Sequence, residues 1–113
     1  MTAQSPHDLS QLIVDRLNAH DVDGLVDLYE PDAVLALPDG SLAVGHQAIR
    51  AYYASLPPDL TVRPGKQSPT LVAGDLALTS TVLSPTVATA EVARRQPDGT
   101  WRWILDRPNV FEV

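Results

Sequence analysis

"PDGTWRWILDRPN", Pro97 to Asn109, contains both tryptophans of the chain, a Pro-Asp-Gly turn, and a run in which aromatic, charged and aliphatic residues alternate. The segment just before it, "TVATAEVARRQ" (Thr86 to Gln96), alternates in the same way. Two alternating runs joined by a short turn with a glycine read as an antiparallel hairpin. Along the second strand, Trp101, Trp103 and Leu105 fall on one face, and Arg102, Ile104 and Asp106 on the other. Asp106 and Arg107 close the most apolar strand of an acidic chain. They are either a solvated pair at a strand end or the mouth of a pocket.

Upstream of the hairpin the chain continues as β. "LTVRP" (60–64) and "SPTLVA" (68–73) are strand-like, "AGD" turns the chain, and "LALTSTVL" (76–83) alternates again. The first half is helical in pattern. "SPHDLSQLIVDRLNAH" (5–20) has a serine cap, a proline suited to the first turn, and Leu9, Leu12, Ile13 and Leu17 at helical spacing. "DVDGLVDLY" (21–29) reads as a short second helix capped by Asp21, with Tyr29 at its end. "AVLAL" (33–37) and "SLAV" (41–44) are short strands around a "PDG" turn. Gly45 then opens a third helix, "HQAIRAYYASL" (46–56), which Pro57 and Pro58 stop. Helices first and a strand meander afterwards predict an α+β domain with a mostly antiparallel sheet. A length of 113 residues suits one domain, residues 1–113.

Composition narrows the function classes. Hydrophobic content is 44% and charged content 19%, ordinary for a folded domain. Net charge is -6, which argues against nucleic acid or an anionic membrane as partner. All of that excess lies in residues 1–56, the half with the helical patterns, as expected of solvated helix faces. No cysteine is present, so neither a disulfide nor a thiolate nucleophile is available. No basic start with an apolar run is seen at the N-terminus and no apolar run approaches ~20 residues, so a cytoplasmic location is expected. His7, His20 and His46 are scattered and have no metal-ligand spacing.

"HDVDGLVDLYEPDAVLALPDG", "GHQAIRAYY" and "PDGTWRWILDRPN", in this order and spacing, resemble the nuclear-transport-factor-2-like superfamily. The branch they resemble is that of SnoaL-like cyclases and ketosteroid-isomerase homologues, and the likeness runs over roughly residues 8–109. The resemblance implies a cone-like curved sheet wrapped around the three helices, a small-molecule pocket inside it, and a homodimer through the sheet's outer face. It also implies that Ile104 and Asp106 look into the cone while Trp101 and Trp103 look outward, toward a partner copy.

The same resemblance allows the catalytic positions to be tested one at a time. Ketosteroid isomerases need a carboxylate base, and a tyrosine with a protonated aspartic acid to hold the enolate oxygen. The base position matches Leu37, which cannot take a proton, and the tyrosine position matches Ile13. The protonated acid matches Glu91. Two supporting tyrosines match Tyr29 and Tyr53, and the late-strand acid of SnoaL-like cyclases matches Asp106. Candidate catalytic residues are therefore Glu91 and Asp106, and candidate substrate-binding residues are Tyr29, Tyr53, Arg16, Leu37 and Ile104. Arg16 lies along the apolar side of the first helix and could reach either acid or run to water. Each acid has a plain alternative: Glu91 on an exposed face beside an arginine, and Asp106 paired with Arg16 or Arg107.

Two function classes remain open. One is a cofactor-free isomerase, cyclase or hydrolase acting on a small apolar molecule by general acid/base chemistry, with no metal. The other is a non-catalytic ligand-binding or dimerisation module. Convergence of Glu91 and Asp106 in one cavity would favour the first.

Overall fold

A computed structural model describes residues 2–111. The first helix, α1, is Asp8–Asn18, and a short α2 is Val22–Val26. Strands β1 (Tyr29–Ala36) and β2 (Leu42–Val44) precede the third helix, α3 (His46–Ala54). Seven more strands follow: β3 (Lys66–Gln67), β4 (Leu71–Ala73), β5 (Leu76–Thr79), β6 (Thr81–Ser84), β7 (Val87–Ala88), β8 (Ala90–Arg95) and β9 (Trp101–Arg107). A six-stranded sheet has the order β2-β1-β9-β8-β5-β4, and a three-stranded one the order β3-β6-β7. Among the described residues only the β1–β9 pairing is parallel. The α+β class and the curved, mostly antiparallel sheet packed on three helices are as expected.

Local chemistry explains the starts of α2 and α3, whereas α1 begins at Asp8, past the serine expected to cap it, with no side-chain cap. Asp21 caps α2 by accepting from the Gly24 amide at 2.9 Å. A side chain at Gly24 would meet the Asp21 carboxylate and the Arg16 side chain, so a larger residue there would have to displace the cap. Gly45 sits at φ 87° ahead of α3, a backbone that costs glycine little. Tyr29, read as the end of the second helix, instead begins β1.

The predicted strand over 76–83 divides at Ser80 into β5 and β6, and its partner divides at Thr89 into β7 and β8. These two breaks face each other. The Thr89 hydroxyl accepts from the Thr81 amide at 2.9 Å, and Ser80 Oγ donates to the Thr89 carbonyl at 2.7 Å. Side-chain oxygens thus replace regular ladder bonds, and the hairpin passes from the large sheet into the small one. Residues 60–64, expected as a strand, form a loop. That loop is held to α1 by Asn18, whose amide donates to the Val62 carbonyl at 3.0 Å and accepts from the Val62 amide at 2.7 Å.

One irregularity decides which residues face the helices. Val92 pairs with Leu105 and Ala93 with Trp103, so Ile104 is an extra residue in β9. The bulge breaks the period of two. Trp101 and Trp103 lie on the inner face before it, and Asp106 lies on the inner face after it, all three buried. The expectation that both tryptophans look outward is therefore corrected. Trp103, 2% exposed, packs on Tyr29 at a ring-centroid distance of 5.7 Å, in a core with Leu9, Leu25, Val26, Leu35 and Ile49. Among the described residues no helix is long and apolar enough to cross a membrane.

Candidate functional site

A cavity of about 540 Å³ lies between α1, α3, the 60–65 loop and the inner face of the two sheets. Its walls are mainly apolar: Ile13, Val14 and Leu17 from α1, Leu56 and Leu60 beyond α3, and Leu35 and Trp103 from the large sheet. Glu91 and Asp106 both line it. They are direct register partners on β8 and β9, so their side chains rise side by side from one face. Glu91 is 5% exposed and Asp106 is 7% exposed.

Each carboxyl has its own neutral partners. Tyr29 Oη donates to Asp106 Oδ2 at 2.5 Å, and its oxygen lies 2.6 Å from the Tyr53 hydroxyl. Tyr53 faces the cavity, and Tyr29, 0% exposed, stands behind it as the link to Asp106. Thr79 donates to Glu91 Oε1 at 2.6 Å, and the Trp103 indole N–H reaches Thr79 Oγ1 at 3.4 Å. No arginine pairs with either acid: the three ion pairs of the described residues join Arg50 to Asp23, Arg94 to Glu30 and Arg95 to Asp75.

Unpaired burial shifts the acids toward their neutral forms. Burial, reinforced by the neighbouring Glu91 charge and opposed by the Tyr29 hydrogen bond, pushes Asp106 up to about 7. Burial also raises Glu91, against the hydrogen bonds from Thr79 and Thr89. Both phenols are raised, first by burial and then by Asp106, so they remain donors. The arrangement can hold a proton near neutral pH beside an apolar surface, which a general acid/base or a hydrogen-bond donor to a carbonyl requires. Among the described residues no group of three His, Asp or Glu side chains is gathered for a metal.

The other predicted binding residues fall elsewhere. Arg16 does not line the cavity; its guanidinium donates to the Gly24 carbonyl at 2.6 Å and ties α1 to α2. Leu37 lies one residue past β1, half-buried against the core, and the strand's wall residue is Leu35. Ile104 is absent from the wall because it is the bulged residue. Ile13, matched to the isomerase tyrosine, does line the cavity. Thr79 and Thr89 were missed as supports of Glu91. Thr79, Thr81 and Ala77 share parity in "LALTSTVL", and that run of small and polar residues was the available signal.

A family model described as a SnoaL-like domain matches residues 11–109. The chain belongs to the SnoaL-like family. Solved structures agree on the fold. A ketosteroid isomerase-like protein from Erwinia carotovora atroseptica is 18% identical, with 88% of each chain covered and a TM-score of 0.71. An NTF2-like protein with a cystatin-like fold from Novosphingobium aromaticivorans is 18% identical, with 88% of this chain and 75% of that one covered and a TM-score of 0.63. A protein of unknown function with a cystatin-like fold from Nostoc punctiforme is 19% identical, with 88% and 84% covered and a TM-score of 0.66. No curated protein matches the chain.

Proposed function

We propose that this SnoaL-like domain binds a small, mostly apolar molecule in the cavity and carries out cofactor-free general acid/base chemistry on it. Asp106 is the proton-transferring group, Glu91 the neighbouring acid that tunes it, and Tyr53, with Tyr29 behind it, the hydrogen-bonding support. The observation that carries the reading is the pairing of two buried carboxyls in one apolar cavity with no cation beside them. Burying two acids disfavours their charged forms, and such an arrangement is common where a proton must be exchanged near neutral pH. Leu37 at the isomerase base position sets this chemistry apart from steroid isomerisation. Purified protein is expected to leave a 3-oxo-Δ5-steroid unconverted.

The test is a thermal-shift screen of apolar carbonyl compounds, followed by turnover assays on the hits. A ligand that binds the folded state raises the melting temperature. Asp106→Asn is expected to keep ligand binding and lose turnover by about 10²- to 10⁴-fold. Binding with no turnover in the wild type would leave the ligand-binding module as the function, a reading that Leu37 already favours.

A second copy of the chain is proposed on the outer sheet face. Leu71, Leu78, Val92, Leu105, Val34 and Val44 are successive register partners across all six strands. Leu71, Leu78, Leu105 and Val44 are exposed. A continuous apolar row of this kind fits a self-complementary contact. Light scattering at micromolar concentration is expected to give the dimer mass.

A further inference from the structure

The rim of the cavity differs from its depth in charge. Its carboxyls, Glu91 and Asp106, are buried, whereas Arg63 lines the same cavity and is exposed. None of the ion pairs of the described residues uses Arg63. The acidic residue nearest in sequence, Asp59, is not part of the wall. In a chain of net charge -6, an unpaired guanidinium at a cavity mouth is a local exception.

The backbone that carries Arg63 is held on both sides although it lies in a loop. Val62 is gripped by both ends of the Asn18 side-chain amide. Pro64 fixes its own backbone angle. Gly65 runs so close to β6 that an added Cβ would lie 2.6 Å from the Val82 carbonyl and 2.7 Å from Thr81 and Leu83. Gln67 then donates to the His7 carbonyl at 3.1 Å, joining the segment to the start of α1. A guanidinium on a loop anchored this way has less freedom to lose on binding than one on a free loop.

We infer that the ligand is an apolar acid, and that Arg63 binds its anionic group at the rim while its apolar body lies along the walls toward Asp106. This inference rests on the ligand-binding reading proposed above and adds the chemical class of the ligand. The two acids at depth also set the direction of entry. An anion driven inward would meet Glu91 and Asp106 in a poorly solvated space, whereas at the rim it meets a planar donor fork matched to a carboxylate. Arg63 is thus a specificity-determining residue and has no part in the proton transfer.

The test compares matched probes by calorimetry at pH 7.5: 2-naphthylacetate with 2-naphthylacetamide, and cyclohexylacetate with its amide. Within each pair the apolar body is the same and only the charge differs. The acid is expected to bind about 5- to 10-fold tighter than its amide in the wild type. Raising the salt from 50 to 500 mM should weaken the acid and leave the amide unchanged. Arg63→Gln should bring the acid down to the amide's affinity, leave the amide unmoved, and keep the melting temperature of the free protein. Arg63→Lys should recover part of the difference. Equal binding of acid and amide in the wild type, or a difference that persists in Arg63→Gln, would overturn the inference while leaving the apolar cavity as a ligand site. Binding of neither member of either pair would overturn the ligand-binding reading and the inference with it.

Discussion

The two faces of the large sheet carry opposite surprises. The inner face, which packs on the helices, holds the two carboxyls side by side, flanked in register by Thr79 on one side and Leu35 on the other. The outer face, which the helices leave uncovered, carries an unbroken row of leucine and valine. A simple inside-apolar rule would have assigned them the other way round. Buried polar groups and exposed apolar patches are the informative departures from that rule. The inner departure is compensated by neutral hydrogen bonds from Tyr29, Thr79 and Thr89 and by raised proton affinity. The outer departure has no compensation among the described residues.

The largest expected effect comes from the apolar part of the inner face. Trp103→Ala removes the ring that packs on Tyr29 and lines the cavity, and should cost about 3–5 kcal/mol. Urea unfolding measures it, and a loss below about 1 kcal/mol would place Trp103 outside the core.

Next comes the pH dependence of the inner acids. Asp106 binds its proton more tightly folded than unfolded. Its contribution to stability is therefore complete below about pH 4, falls as pH rises toward about 7, and is level above that, a change of about 4 kcal/mol at most. The raised Glu91 acts in the same sense. The difference in stability between wild type and Asp106→Asn, followed from pH 4 to pH 8, isolates this contribution from the lowered Glu30, Asp39 and Asp98. A difference that moved in the wild type's favour as pH rose would mean an ionised, paired Asp106.

Tyr29→Phe tests the hydrogen bonds alone. It deletes the donor to Asp106 and the contact with Tyr53, and should cost about 1–3 kcal/mol. It should also raise Asp106 further, because that hydrogen bond is what holds it down. An NMR titration of the Asp106 carboxyl shows the direction, and a lowered value would contradict the network.

On the outer face, Leu105→Lys should change the stability of the isolated chain by no more than about 0.5 kcal/mol. If a second copy covers the row, the same change should convert the dimer to monomer by light scattering. A wild type that is monomeric at micromolar concentration would remove the self-association proposal.

Much of this was legible in the residues. The hairpin of β8 and β9, over 90–107, follows from alternation and the Pro-Asp-Gly turn, and the order of helices and strands follows largely from capping, glycine and proline signals. Glu91 on the face of Ala93 was also legible, because β8 keeps its period of two. The site was less so. Arg16 sits on the right side of α1 by spacing, yet a carbonyl eight residues on satisfies it first. Arg63 gave no local signal, since its loop becomes part of a wall only when Asn18 and β6 hold it.

Strand β9 shows where local pattern stops. Turn chemistry and side-chain alternation act between residues close in the chain, and they specified the α+β class, the Asp21 cap of α2, the start of α3 after Gly45 and the hairpin. The facing of Trp101, Trp103 and Asp106 depended on one extra residue, Ile104, set against β8. The ladder partners are distant in sequence, and a one-residue slip exchanges the faces of everything beyond it. The bulge lets both tryptophans fill the core and still turns Asp106 into the cavity beside Glu91. Packing across the sheet chose that register, and no rule of period two could have.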